Sequence, residues 1–394
     1  MPPTWTEINP EGLVFLKQKT MVTSIQEIQP EAESVKEPNS APALVEGFLD
    51  DNQEDDNHTR TSEKILAILK PYLLTKSVDA HDRWDLGATT FISVICNFVR
   101  KGQAVKMCLP AFPWKSANKV YKVLGTLPDK AEELALKRLN GICEAIGDAY
   151  KPGAELLIIS DGLVYNDLLT IPDRDVWAYG EALRALSVES GCTHIRFSRL
   201  KDLVNIPGLP DKLEEITYVA NASNFRRALL NQFSKPGLDV TKEIAEKDDT
   251  RLTYCGYTRF LENDLRYIFT IGQNRSGHKY RKDVKYVAKQ MIYRGYAFGA
   301  AVKQNFPDYL RLSIHQSTGE HKVSISLLPT KTSYTTPWHC SVAFLADGSV
   351  TSGPKGDFED NPKFELIRDK DGRPSYFRER EMGAVDIDED EDDY

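Results

Sequence analysis

The stretch 109-LPAFPWKSANKVYKVLGTLPDKAE-132 leaves an apolar strand through two prolines and an aromatic pair, then reaches Lys115 and Ser116. Ser116 can cap a following helix. Lys119 and Lys122 lie four and seven residues beyond Lys115, so the spacing predicts one lysine-bearing helical face. A helix N-terminus beside a lysine suits a phosphate or a carboxylate. The same spacing also fits a solvated basic face. Asp161 follows the apolar run 155-ELLIIS-160 and precedes Gly162. A carboxylate there can act as a general base, hold a substrate amine or hydroxyl, or close an Asx turn. Asp167 is a weaker case of the same kind.

In 309-YLRLSIHQ-316, alternation puts Arg311, Ser313 and His315 on one side of a strand. Arginine grips phosphate or carboxylate with two parallel hydrogen bonds, and histidine moves protons near neutral pH. A solvent-facing strand would show the same pattern. His339, in 336-TPWHC-340, follows a proline-fixed turn and reads as a structural histidine or a proton carrier.

These groups need elements to position them. Helices are expected over 62–73, 86–100, 129–149, 173–189, 222–234, 252–267 and 280–304. Asp129 and Glu132 form a capping box for the third. Strands are expected over 104–111, 155–160 and 193–200, the last leading into Arg199 and Lys201. The continuous apolar run 155–160 suits a parallel sheet covered on both faces. Strands over 309–316, 322–329 and 336–349 alternate and contain the turn-like pair Asp347–Gly348, which predicts an antiparallel unit. The fold class is therefore α/β, a Rossmann-like doubly wound sheet with helices on both faces and a C-terminal antiparallel β-rich extension. Ligands of such a sheet sit outside the carboxyl ends of its strands, where the groups above collect.

Residues 1–60 read as a disordered acidic N-terminal region and 61–375 as a catalytic domain, with a βαβαβ core over 104–235 and helices plus strands over 250–375. Residues 376–394 read as a disordered acidic tail. The net charge is −8. The run 386-DIDEDEDD-393 carries seven acids and 46-EGFLDDNQEDD-56 six, so the remaining body is mildly basic. That argues against a nucleic-acid binder with a basic stripe and suits an anionic small substrate. There is no signal-peptide pattern and no membrane-length apolar run, so a soluble cytoplasmic protein is expected. The six cysteines form no C-x-x-C pair and read as buried free thiols. No metal site is expected, because the seven histidines offer no ligand spacing and no H-x-[DE] occurs. The run 272-GQNRSGHK-279 has His278 where a P-loop needs lysine, and neither G-x-G-x-x-G nor G-x-S-x-G appears.

The run LPAFPWKSANKVYKVLGTLPDKAEELALKRL resembles the signature of the pyoverdine/dityrosine biosynthesis family, the isocyanide synthases. The likeness continues through 150-YKPGAELLIISDGLVYNDLL-169, 256-GYTRFLENDL-265, 306-FPDYLRLSIHQS-317 and 335-TTPWHCSVAFLADGS-349. These blocks stand in family order across residues 62–375. The resemblance implies condensation of the amine of an aromatic amino acid, tyrosine or tryptophan, with the C2 ketone of ribulose 5-phosphate. Proton transfers, phosphate loss and carbon–carbon cleavage then leave C2 as the isocyanide carbon, with no redox cofactor or metal. A yeast spore-wall relative delivers N-formyl tyrosine instead. Many fungal relatives carry a fused iron-dependent dioxygenase, and the absence of H-x-[DE] here implies a separate downstream tailoring enzyme.

On that resemblance, Lys115, Ser116 and Arg311 would hold anions, with Arg199, Arg259 and Ser313 as further binding groups. His315 and Asp161 would move protons, with His339 as a second acid. Phe112 and Trp114 would line the aromatic side. Lys115 could instead form a Schiff base with the ketone. A different class of reading, a nucleotide-dependent oxidoreductase on the same scaffold, lacks its glycine fingerprint.

Overall fold

The computed structural model describes residues 51–74, 82–210, 212–272 and 274–380. The helices are α1 (Asp51–Leu69), α2 (Trp84–Arg100), α3 (Lys130–Ala149), α4 (Gly162–Tyr165), α5 (Asp173–Glu189), α6 (Glu215–Phe233), α7 (Val240–Glu246), α8 (Asp248–Asp264), α9 (Gly277–Asn305) and α10 (Lys355–Glu359). The strands are β1 (Val105–Pro110), β2 (Ala154–Ser160), β3 (Ile195–Arg199), β4 (Leu310–Ser313), β5 (Val323–Ser324), β6 (Ser341–Phe344), β7 (Val350–Gly353), β8 (Phe364–Arg368) and β9 (Pro374–Glu379).

Five strands form one sheet in the order β3-β2-β1-β4-β5, every neighbour parallel. Strand β2 explains why the run 156–159 is apolar at every position. Leu156 and Ile158 pack with Ile65, Phe91 and Leu136 on one face, while Leu157 and Ile159 pack with Phe225, Leu261 and Met291 on the other. Helices α1, α2 and α3 thus cover one face, and α6, α8 and α9 the other. No helix among the described residues is long and apolar enough to cross a membrane. All six cysteines are free thiols, and only Cys255 is exposed.

Three differences from the sequence expectations have physical causes. First, 309–316 and 322–329 do not begin an antiparallel unit. They supply β4 and β5 of the parallel sheet, with Cys108 paired to Arg311. Alternation reports which face a residue takes, not strand direction. The 29-residue α9 provides the long crossover that a parallel return needs. Second, the separate C-terminal sheet, β7-β6-β9-β8, is mixed, because β6 and β9 run parallel while its other pairs are antiparallel. Third, α1 begins and β9 ends inside the stretches expected to be disordered. The remainder of those stretches, 1–50 and 381–394, lies outside the described residues.

No helix forms between Ser116 and Pro128 either. Asn118 Oδ1 accepts the Tyr121 N–H (3.0 Å), and the carbonyls of Tyr121 and Lys122 accept the N–H groups of Gly356 and Lys355. Those hydrogen bonds take the place of a helical ladder. The three lysines diverge: Lys119 is exposed, while Lys115 and Lys122 turn inward.

Lys115 pins this segment. Its Nζ lies 2.8 Å from Asp129 Oδ2, 2.8 Å from Glu132 Oε2 and 3.2 Å from the Pro337 carbonyl. Burial alone would lower its pKa, but Asp129 and Glu132 outweigh that and hold the ammonium well above its ordinary value. Asp129 and Glu132 are also the capping box of α3, so one cage ties the turn after β1, the start of α3 and residue 337. Lys115→Met would strand two buried carboxylates, and removing one partner of a buried pair costs about 3–5 kcal/mol. Chemical denaturation checks this; a loss below about 1 kcal/mol, the scale of an exposed pair, would contradict it.

Candidate active site

The strand order changes direction between β1 and β4, and an open parallel sheet offers ligands its crevice at that point, beyond the carboxyl ends. A cavity of about 740 Å³ opens there. Trp114 enters its wall after β1, Asp161 after β2 and His315 after β4. Helix α8 adds Tyr257, Arg259 and Phe260, and the short 3-10 turn Pro337–His339 adds Trp338 and His339.

Local backbone sets these directions. Phe112 takes a left-handed conformation (φ 59°), which is strained for a bulky residue and is kept where the surroundings enforce it. Its ring is locked in the core against Trp338, centroids 5.1 Å apart. The chain therefore reverses, and Trp114 faces the cavity. The next turn passes so close that a Cβ on Gly162 would lie 2.7 Å from the Pro113 carbonyl oxygen. Only glycine lets Asp161 sit beside the Trp114 turn. Past β4, the His315 N–H donates to Ser313 Oγ (3.2 Å), which bends the chain as the imidazole enters the wall.

The two histidines are held neutral. Burial, reinforced by Lys322, His339 and Arg311, lowers His315 to about 3. Its ring meets Tyr257 edge-on at 5.1 Å. His339 Nδ1 lies 3.1 Å from Asp264 Oδ2, and Lys122 Nζ lies 2.5 Å from Asp264 Oδ1. Burial would raise the Asp264 carboxyl, but Lys122 and His339 outweigh it and keep it ionised. Burial, with Lys122 and Lys115 nearby, holds His339 below its ordinary value despite Asp264. An ionised carboxylate 3.1 Å from Nδ1 electrostatically favours the proton on that nitrogen, leaving Nε2 as the basic atom. Asp161 behaves oppositely: burial pushes its carboxyl up to about 7, against the pull of Arg311.

Five of the residues proposed from sequence share this wall: Trp114, Asp161, Arg259, His315 and His339. Arg311 is not in the wall, but its charge reaches Asp161 and His315. Ser313 supports the His315 turn. Lys115 is enclosed in its cage, and Phe112 in the core. Ser116 is also buried: its N–H donates to the Trp338 carbonyl (2.9 Å) and its Oγ accepts from Asn118. Arg199 lies on edge strand β3, bonded to Glu181 and stacked over Trp177 at 4.1 Å. Asp167 is paired with Arg294 (3.0 Å). Sequence reasoning missed Tyr165, Tyr257, Asp264 and Arg138. The first three lie inside the quoted blocks DGLVYND and GYTRFLENDL, but helical spacing gives no sign that a tyrosine faces a cavity or that a terminal aspartate is buried against a lysine and a histidine. Arg138 projects from α3 over Tyr72 (4.4 Å) and donates to the Ser326 carbonyl (3.2 Å). No cluster of histidine, cysteine or carboxylate side chains suited to a metal ion occurs among the described residues.

Comparison with known proteins places this geometry among relatives. The family model described as "Pyoverdine/dityrosine biosynthesis protein" matches residues 95–367. An isocyanide synthase–NRPS hybrid of Aspergillus fumigatus is 53% identical over 330 residues, 83% of this chain but 21% of that protein. A second isocyanide synthase of the same fungus is 45% identical over 75% of this chain and 39% of its own length. The chain thus spans well under half the length of these fungal relatives. An L-tyrosine isonitrile synthase of Pseudomonas aeruginosa is 35% identical over 72% of this chain and 82% of its own. The crystal structure of the PvcA protein from Pseudomonas aeruginosa superposes with a TM-score of 0.70 at 30% identity, over 81% of this chain and 100% of that one.

The charge pattern has a direct spectroscopic consequence. Imidazole nitrogen NMR is expected to show His315 neutral at pH 6 and His339 titrating below its ordinary value, its neutral form protonated on Nδ1. Asp264→Asn is expected to scramble that tautomer. Titration of either ring near the ordinary 6.5 would contradict the description.

Proposed function

The chain belongs to the pyoverdine/dityrosine biosynthesis family, and we propose that it is an isocyanide synthase. Its substrates in this reading are an aromatic L-amino acid, tyrosine or tryptophan, and ribulose 5-phosphate, whose C2 becomes the isocyanide carbon. The observation that carries it is the convergence of two neutral histidines and one poised carboxyl on a single cavity with basic side chains in its wall.

Condensation of an amine with a ketone, loss of phosphate and carbon–carbon cleavage each involve proton transfer, and a positioned acid or base contributes about 10²–10⁴-fold. Asp161 takes the proton that frees the amine for attack on the ketone. His339 Nε2, kept basic by the Asp264 contact at Nδ1, removes a proton from the condensed adduct, the Asp161 carboxyl returns the proton it took from the amine to the departing oxygen, and the neutral His315 ring hydrogen-bonds the reacting groups. Arg138 and Arg259 offset the negative charge of the phosphate and of the developing transition states. Trp114, Tyr257, Phe260 and Trp338 give an aromatic side chain its wall. Relatives carry matching names: L-tyrosine isonitrile synthases in two bacteria and an L-tryptophan isonitrile synthase of Fischerella ambigua, 30% identical over 281 residues.

Incubation with a panel of amino acids and ribulose 5-phosphate is expected to release phosphate and to give an infrared isonitrile band with tyrosine or tryptophan. Phosphate release without that band, or an N-formyl product by mass spectrometry, would overturn the assignment. The pH dependence has a definite sign. Asp161 is protonated below about 7 and ionised above it. A base must be ionised, so kcat/KM rises as pH passes upward through that value, and Asp161→Asn removes the step. A rate that falls through the same range would make Asp161 an acid instead. His339→Gln is expected to lower kcat by about 10²–10⁴-fold with little change in either KM.

A further inference from the structure

Buried polar atoms in a native fold are almost always hydrogen-bonded, so those left over need an explanation. Among the described residues, the buried side-chain atoms lacking a hydrogen bond include three carboxylate oxygens of ion-paired side chains, on Asp129, Asp264 and Asp283, and His339 Nδ1, which faces Asp264. A fifth, His58 Nδ1, belongs to α1. The other three are Trp114 Nε1, Asp161 Oδ1 and Arg311 Nη1. They come from adjacent strands or the turns leaving them: Trp114 after β1, Asp161 after β2 and Arg311 within β4. Trp114 is 4% exposed, and it and Asp161 line the cavity; the Arg311 charge reaches Asp161.

An indole N–H can only donate, a guanidinium can only donate, and an ionised carboxylate can only accept. We propose that Trp114 Nε1 and Asp161 Oδ1 form the head-group seat of the α-amino acid substrate, Asp161 accepting from its ammonium while Trp114 Nε1 donates to its carboxylate, with the Arg311 charge close behind Asp161. The assignment rests on the isocyanide synthase reading. It gives Trp114 a polar role, beyond that of an aromatic wall. Charge favours this occupant. Asp161 and Arg311 together are neutral, as is the zwitterion, whereas a phosphate dianion would face Asp161 directly. The arrangement also puts the amine on the group that must deprotonate it.

The test is calorimetric titration of the full chain and two variants with L-tryptophan, tryptamine, which lacks the carboxylate, and indole-3-propionate, which lacks the amine. A hydrogen bond to a charged group is worth roughly 10- to 100-fold in affinity. The parent is expected to prefer tryptophan to both analogues. Trp114→Phe, which keeps an aromatic ring, is expected to lose that factor for tryptophan and leave tryptamine unchanged. Asp161→Asn is expected to lose the preference for tryptophan over indole-3-propionate, and this arm stands if Trp114→Phe does not fold. A Trp114→Phe protein with the parent's tryptophan-to-tryptamine ratio, or an Asp161→Asn protein with the parent's ammonium preference, would overturn the assignment while the parent still makes isocyanide. A parent that neither binds nor converts an amino acid would overturn both.

Discussion

A carboxylate removed from water is costly unless charge and hydrogen bonds compensate it, and Asp264 is fully buried. Its two oxygens are answered by Lys122 and His339. Asp264 ends α8, Lys122 belongs to the segment after β1, and His339 precedes β6, so one ionised group draws three distant parts of the chain together. The Lys115 cage secures the same 337–339 turn from its other side, through the Pro337 carbonyl and the Ser116–Trp338 backbone hydrogen bond. The run Trp114–Lys115–Ser116 is therefore a clamp for the 337–339 turn: its lysine and serine face inward, and only its tryptophan meets the cavity.

This framework accounts for the chemistry at the cavity. The ion pair spends its charge on holding Asp264, and burial, helped by the positive side chains nearby, holds both histidines below their ordinary pKa. Asp161 has no such partner at its Oδ1, and burial leaves its carboxyl balanced near neutrality. Two buried environments, one at the end of α8 and one just past β2, thus push one carboxyl down and another up. Sites that must both take and give protons at one pH are built in this way. The strained Phe112 and the glycine at 162 are the backbone cost of setting Trp114 and Asp161 side by side.

Much of the fold was legible because its signals are local. The capping box at Asp129 and Glu132, the unbroken apolar run of β2 and the bounds of α5 follow from short-range chemistry. Strand direction was not legible for β4 and β5, since alternation looks the same in both directions. The site was legible in part. Asp161, His315 and His339 follow strand ends or a proline turn, where polar residues stand out against apolar runs. Lys115 was misleading because lysine spacing cannot tell a ligand's counter-ion from a buried structural one; only the folded position of Asp129 and Glu132 decides. Asp264 and Tyr257 were hidden in helical periodicity, as their function depends on which segment packs against them.

The central claim is that one crevice, at the point where the parallel sheet changes winding direction, receives both substrates. A crystal structure of the protein with ribulose 5-phosphate and a non-reactive N-methylated amino acid addresses it most directly. The account predicts density for both molecules between Trp114, Asp161, His315 and His339, with the sugar C2 carbon next to the amino-acid nitrogen. Density for either one outside that crevice, with the crevice itself filled only by water, would contradict it.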